Sequence, residues 1–242
     1  MILLRREIMK KYAILGVGLL VASPMVMAAE DGITSSVEAG LVLTSGNTST
    51  KSYNVGGKLE HVKGPMRNTV KAEALYIDGD SGKLSEKYLG NGKTAYQFDE
   101  HSYGFVSANL ERDLFSGYDY QASISTGYGY RFLDTKEMTF DLEAGPGYRY
   151  NKLDTEEAEG ELIGRLSGLF AYRFNKTATF TQELTSEIGS DATITKSVTA
   201  LTAQIVGNMA MKASLTAKHN TDTPAGVDEL DTETGLTLVY TF

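Results

Sequence analysis

The residues with chemical potential in this 242-residue chain fall into two sets. The smaller is Ser197 with His219. A hairpin centred on Asn208 would set them opposite one another on one face, with the imidazole placed to act as base to the serine hydroxyl. On a membrane-facing wall that pair would make a lipid-active hydrolase, although no Asn or Asp is assigned to orient the histidine. The larger set is a series of charges at every second position. It comprises Lys58 and Glu60, Lys71 and Glu73, Lys87 and Lys93, Arg131, Glu143 and Arg149. It continues with Arg165, Arg173, Glu183, Glu187, Lys196, Lys212, Lys218 and Glu233. Side chains two apart on an extended chain share a face. This set is therefore expected to line a watery interior, where cations and carboxylates pair with each other or meet a solute.

Other chemistries lack their residues. The chain has no Cys, which removes disulfides and thiolate ligands or nucleophiles. Neither "GYGYR" (Gly127 to Arg131) nor "GPGYRY" (Gly145 to Tyr150) is followed by a helix that could receive a phosphate. These glycines are expected to face a lumen or to relieve curvature. "DGDSG" (Asp78 to Gly82) has the wrong spacing to Glu86 for a calcium loop and reads as a solvated turn. The acidic run Asp154 to Glu161 and the cluster Asp228, Glu229 and Asp231 read as hydrated loops. Their alternative use is to bridge divalent cations to lipopolysaccharide. His61 and His101 are expected in water near short turns. No cofactor and no metal site is expected.

The elements that must position the charged set are strands. Almost every segment after Gly32 alternates with period 2. Val37, Ala39 and Leu41 share a face, as do Tyr53, Val55 and Leu59, and so on through about twelve segments. Within "YGFVSANLE" the phase is ambiguous, and Val106, Ala108 and Leu110 are taken as the apolar face. The segments run longer than the roughly 5–6 residues of ordinary strands and reach the roughly 9–11 needed to cross a bilayer obliquely. Short connections such as "KGP" and "FNKT" alternate with mostly longer acidic ones such as "DGDSGKLSE" and "NKLDTEEAEGE". That sorting, an apolar face against a charged one, and Tyr and Phe near segment ends together predict an all-β antiparallel transmembrane barrel. It is expected to have about twelve strands, a polar lumen and both termini in the periplasm.

The first 28 residues read as a processing signal. Arg5, Arg6, Lys10 and Lys11 precede the apolar "YAILGVGLLVA", and Val26 and Ala28 sit where a signal peptidase reads small residues. Residues 1–28 are thus expected to be a signal peptide cleaved near Ala28/Ala29, leaving 29–242 as one barrel domain. Removing four basic residues and one acidic residue takes the formal charge from −8 to −11. An exported acidic chain is a poor partner for nucleic acid. At the other end "GLTLVYTF" places Leu236, Leu238, Tyr240 and Phe242 on one face up to the last residue.

Several blocks resemble a known family. They are "EAGLVLTSGNTSTKSYNVGGKLE" (Glu38 to Glu60), "RDLFSGYDYQASISTGYGYRFLDT" (Arg112 to Thr135), "LEAGPGYRY" (Leu142 to Tyr150), "FTQEL" (Phe180 to Leu184) and "DTETGLTLVYTF" (Asp231 to Phe242). They are similar to the YdiY-like salt-induced outer-membrane proteins, a domain of unknown function. The resemblance implies a Gram-negative outer-membrane barrel, induced in some members by salt or acid, and supplies no catalytic residue. The expectation is a non-enzymatic outer-membrane barrel serving as a narrow small-solute channel or a stress-related envelope protein. The alternatives are the Ser/His lipid hydrolase and a structural or adhesive barrel without a pore. Expected partners are membrane lipid, lipopolysaccharide and the barrel-assembly machinery, the last through Leu238, Tyr240 and Phe242.

Overall fold

The computed structural model describes residues 31–44, 50–79, 82–114, 116–153, 159–224 and 227–242. Residues 1–28, read above as a signal peptide, and residues 154–158 of the acidic run lie outside the described residues. Alternation produces twelve strands, β1 (Gly32–Thr44), β2 (Thr50–Lys63), β3 (Met66–Gly79), β4 (Gly82–Gln97), β5 (Ser102–Asp113) and β6 (Tyr118–Asp134). They continue as β7 (Met138–Leu153), β8 (Glu159–Arg173), β9 (Ala178–Gly189), β10 (Thr193–Val206), β11 (Met209–Asn220) and β12 (Leu230–Thr241). Each strand pairs antiparallel with its sequence neighbour, and β1 meets β12 to close the ring. Closure removes both edges, which is what an extended chain in hydrocarbon requires.

The apolar faces point outward. Val70, Leu110, Ile124, Leu162 and Leu236 are all about half or more exposed. In the ambiguous segment Val106 and Leu110 are exposed while Phe105 and Ser107 are buried. A row of rings, Phe132, Phe140, Phe170 and Phe180, runs across four strands at the end of the barrel that carries its termini. Tyr53 with Tyr76 and Tyr120 with Tyr150 mark the far end. These are two aromatic girdles around an apolar band, the pattern of a bilayer-spanning barrel.

Three details depart from the sequence reading. Loops at the far end are shorter than expected, because β4 already begins at Gly82 and β10 at Thr193. Polar rim residues extend the ladders there, and most of "DGDSGKLSE" is strand. Second, a bulge between Gln204 and Val206 shifts the β10–β11 register. Ser197 therefore pairs with Ala217, and His219 with Thr195, so the Ser197–His219 pairing expected from a hairpin centred on Asn208 is not formed. Third, the interior is polar but not uniformly so, since Leu75, Ile77, Phe105, Ile163 and Val198 are buried.

The turns obey local rules. Gly64 and Gly207 sit in two-residue turns at positive φ. In the turn after β4, Asp99 accepts hydrogen bonds from the Ser102 hydroxyl and from the backbone N–H groups of His101 and Ser102. Those donors hold its carboxyl below the ordinary aspartate range, the Ser102 hydroxyl most of all.

Candidate functional site

The interior faces of the strands enclose a cavity of about 330 Å³. It runs from Pro65, Arg67 and Gln97 near the termini-bearing mouth to Gln121, Ile194 and Lys218 near the far one. Glycines make room for its wall. A Cβ on Gly129 would collide with the Tyr103 ring, which lies flat against that strand, and Gly127 faces Gly145 across β6–β7 with no space for a side chain on either. The two glycine motifs are therefore packing devices.

The charged set is arranged in three tiers. Nearest the termini, Arg131 binds Asp141 through two hydrogen bonds of 2.8 and 3.1 Å and reaches Asp134 at 3.4 Å. Lys58 pairs with Glu60 at 3.1 Å. At mid-height Glu143 is a hub. It accepts from Lys93, from Arg165 at 2.9 Å and from the Tyr103 hydroxyl at 2.8 Å. Lys93 and Arg165 also lie 5.1 and 5.4 Å from the Phe105 ring, within cation–π range. At a neighbouring wall Lys212 is buried against Glu38.

The far tier crosses the lumen. Arg149, only 2% exposed, binds Glu161 and the Ala192 carbonyl and lies 3.8 Å from Glu187. Lys87 of β4 lies 3.2 Å from Glu233 of β12, 3.4 Å from Glu111 and 3.6 Å from Asp113. Lys218 of β11 donates to Glu111 at 2.8 Å and to Gln121 at 3.1 Å, on strands half-way round the ring. The segment after β11 adds a strap. Thr221 exchanges hydrogen bonds with Thr193, Thr223 donates to the Val227 carbonyl, and Pro224 and Val227 rest against Gly117 on the opposite wall. Gly117 has φ +76° and no Cβ, so the strap approaches closely there. The far mouth is narrowed by ion pairs and crossed by a loop, while the termini-bearing mouth is edged by Arg67 and Gln97.

Residues 37–242 match the family described as "Protein of unknown function, DUF481". The chain belongs to that family. This DUF481 chain is 27% identical over 214 residues to "Uncharacterized protein YdiY" of Escherichia coli strain K12, covering 88% of this chain and 84% of that protein. Among solved structures, the COG4313 outer membrane channel from Pseudomonas putida F1 is similar with a TM-score of 0.54 at 11% identity. That alignment covers 92% of this chain and 100% of the other. The translocator domain of autotransporter NalP from Neisseria meningitidis follows at 0.49 and 9% identity, covering 90% and 91%. At such identities the likeness is one of fold. The DUF481 chain is a closed twelve-stranded antiparallel β-barrel with the apolar, aromatic-girdled exterior of a bilayer-spanning one.

Within it, Glu60, Lys71, Glu73, Lys93 and Arg131 line the cavity, and so do Glu143, Arg149, Arg165, Glu183 and Lys196. Lys58, Lys212 and Glu233 are held in the ion pairs above, outside the cavity wall. Arg173 donates to the Lys136 carbonyl at the termini-bearing mouth. Leu238, Tyr240 and Phe242 stand on the exterior of β12 and just beyond its end. His219 is exposed 3.9 Å from Glu229, and Ser197 accepts a hydrogen bond from Gln182 at 2.9 Å. Sequence reasoning passed over Tyr103, Phe105, Glu38, Glu111 and Asp141, and it read Glu161 as part of a hydrated loop, whereas Glu161 is in β8, buried against Arg149. Glu111 and Asp141 keep the period-2 phase of the charged face and were findable; Tyr103 and Phe105 look like lipid-facing aromatics until the tertiary structure turns them inward.

Three charged side chains on the cavity wall have no ion-pair partner within 4 Å among the described residues: Arg67, Glu183 and Lys196. Most other cavity charges are committed to each other, so the wall is stiff where it is paired and free at these points.

Proposed function

We propose that this barrel is a narrow passage for small charged or zwitterionic solutes across the outer membrane, with no catalytic step of its own. The observation that carries the reading is the lumenal cavity with uncommitted cations and a carboxylate on its wall. A solid barrel would pair or bury all of these charges, because an unpaired charge away from water is expensive. The orientation that fits has both termini in the periplasm after removal of residues 1–28 near Ala28/Ala29, and the strap and far-tier ion pairs at the cell surface. The C-terminal row Leu238, Tyr240 and Phe242 then serves as the mark read by the assembly machinery. A passage that is narrow and ion-paired suits an envelope under salt or acid stress, the setting that the family likeness implies.

Single-channel recording of the purified barrel in planar bilayers tests the reading. The expected result is discrete steps of small conductance with weak ion selectivity, since cations and carboxylates alternate along the wall. Lys196→Ala should shift the reversal potential towards cations. Absence of discrete steps in both the wild type and a variant with a loosened far tier would overturn the proposal.

A further inference from the structure

The exterior of β9 and β10 carries the largest break in the apolar pattern of the wall among the described residues; a single pair, Asn68 with Thr94, makes a smaller one on β3 and β4. Outward positions are identified by their neighbours, since Glu183, Thr185, Lys196 and Val198 line the lumen. Gln182, Ser186, Thr195, Ser197 and Thr199 therefore face lipid. Gln182 and Thr199 are direct partners across the two strands, as are Ser186 and Thr195. The Thr199 hydroxyl donates to the Gln182 side-chain carbonyl at 2.5 Å, and the Gln182 amide donates to Ser197 at 2.9 Å. Ser186 and Thr195 share one hydrogen bond of 3.0 Å.

This patch is inside the hydrocarbon band. Phe180 belongs to the ring row of the girdle, and Gln182 lies two residues farther along β9, about 7 Å at the strand rise. The band itself is about 25 Å tall. The directly paired exterior positions of neighbouring strands are Leu166 and Phe170 on β8, opposite Ser186 and Gln182, and Leu215, Ala217 and His219 on β11, opposite Thr199, Ser197 and Thr195. Acyl chains offer no hydrogen-bond partner. The internal bonds use Ser197 only as an acceptor, and the Ser186–Thr195 pair spends only one of its two hydroxyl protons. Donors are thus left pointing into lipid in the sector that carries the largest group of exterior polar side chains among the described residues, five against the single Asn68–Thr94 pair of β3 and β4.

We propose that this sector is where two copies of the chain meet in the membrane, through the Gln182, Ser197 and Thr199 cluster. The occupant follows from the chemistry. A primary amide and hydroxyls each donate and accept, so the cluster is complementary to itself about a two-fold axis. A second copy brings the matching groups at the same depth, and polar side chains bind membrane-spanning elements to one another in this way. Lipid headgroups lie at the interface, beyond the reach of residues two positions inside the girdle. Ser197 thus has a role in association in place of the nucleophilic one that its pairing with His219 would have required.

The absence of native Cys makes the test direct. Leu184→Cys places a thiol on the exterior beside the cluster, opposite Ser197. Val55→Cys places one on β2, far round the ring, between Ala39 of β1 and Ala74 of β3. Oxidation in native membranes should link the Leu184→Cys protein into a species of twice the chain mass and leave Val55→Cys monomeric. Adding Gln182→Leu should lower the linked fraction about tenfold, with heat-modifiable gel migration showing that the barrel still folds. If that variant fails to fold, Thr199→Val is read for the same loss. Equal linking at the two positions, linking to a different protein, or a linked fraction unmoved by the folded variant would each overturn the proposal.

Discussion

At the scale of single residues, the lumen is governed by which charges are paired in both directions. Glu143 satisfies two cations and a phenol at once, and each of those is held from a different strand. Glu143→Gln keeps the shape but leaves Lys93 and Arg165 without their counter-charge. Breaking one partner of a buried pair costs about 3–5 kcal/mol. The variant should therefore unfold at clearly lower urea concentration, followed by circular dichroism because the chain has no Trp. Folded protein should also pass anions more readily than the wild type, from the extra uncompensated positive charge. Glu229→Gln, at an exposed site on the far rim, should leave the unfolding midpoint where it was. The interior hub was partly legible in advance. Glu143, Arg165 and Lys93 keep period-2 phase with the other charges, but nothing in the order of residues says that strands β4, β5, β7 and β8 bring these groups within bonding distance of one another.

At the scale of elements, the closing seam is the weak one. β1 and β12 are matched over four residue pairs, from Ser36 with Thr241 to Ala39 with Leu238, while each other seam has ten or more. The Phe242 N–H adds a bond to the Ser35 carbonyl just beyond the ladder, and its ring packs edge-on to Tyr240. In so short a seam each terminal bond is a large share of the total. Deleting Phe242 should cut the yield of heat-modifiable barrel in outer-membrane fractions several-fold. Deleting loop residues 156–159, of which 156–158 lie outside the described residues, should leave it near wild type. Similar losses from the two deletions would separate the C-terminal aromatic from assembly. The bulge at Gln204–Val206 belongs to the same scale. The two-residue turn that pairs Val206 with Met209 moves the register one residue from a hairpin centred on Asn208, and the bulge moves it one more, which is why Ser197 and His219 do not meet.

At the scale of the whole molecule, the two mouths differ. Ion pairs that span the lumen, Lys218 with Glu111 and Lys87 with Glu233, work with the strap on Gly117 to narrow the far mouth. The termini-bearing mouth has no matching strap among the described residues. A combined Glu111→Gln and Lys218→Met variant removes one cross-lumen pair without leaving an unmatched charge. It should raise unitary conductance at least two-fold, because the two side chains that bridge the lumen no longer attract one another. Unchanged conductance would mean that the narrowing lies elsewhere along the lumen.

The sequence by itself determined the class of fold and the two faces of every strand except β5, whose phase the tertiary structure decided. Period-2 alternation over twelve long segments leaves a closed barrel as the arrangement that satisfies lipid outside, charge inside and every backbone group at once. It also determined which charges would face inward, since a one-residue slip would put all of them into lipid. Only the tertiary structure decided which charges are partners. Closure, tilt and a single bulge set distances between residues as far apart in sequence as Glu38 and Lys212, and those distances separate the charges that lock the wall from Arg67, Glu183 and Lys196, which have no ion-pair partner within 4 Å among the described residues. The register of the β9–β10 hairpin placed Gln182, Ser197 and Thr199 side by side in the lipid band, because neighbouring strands bring together polar residues that the chain order keeps apart.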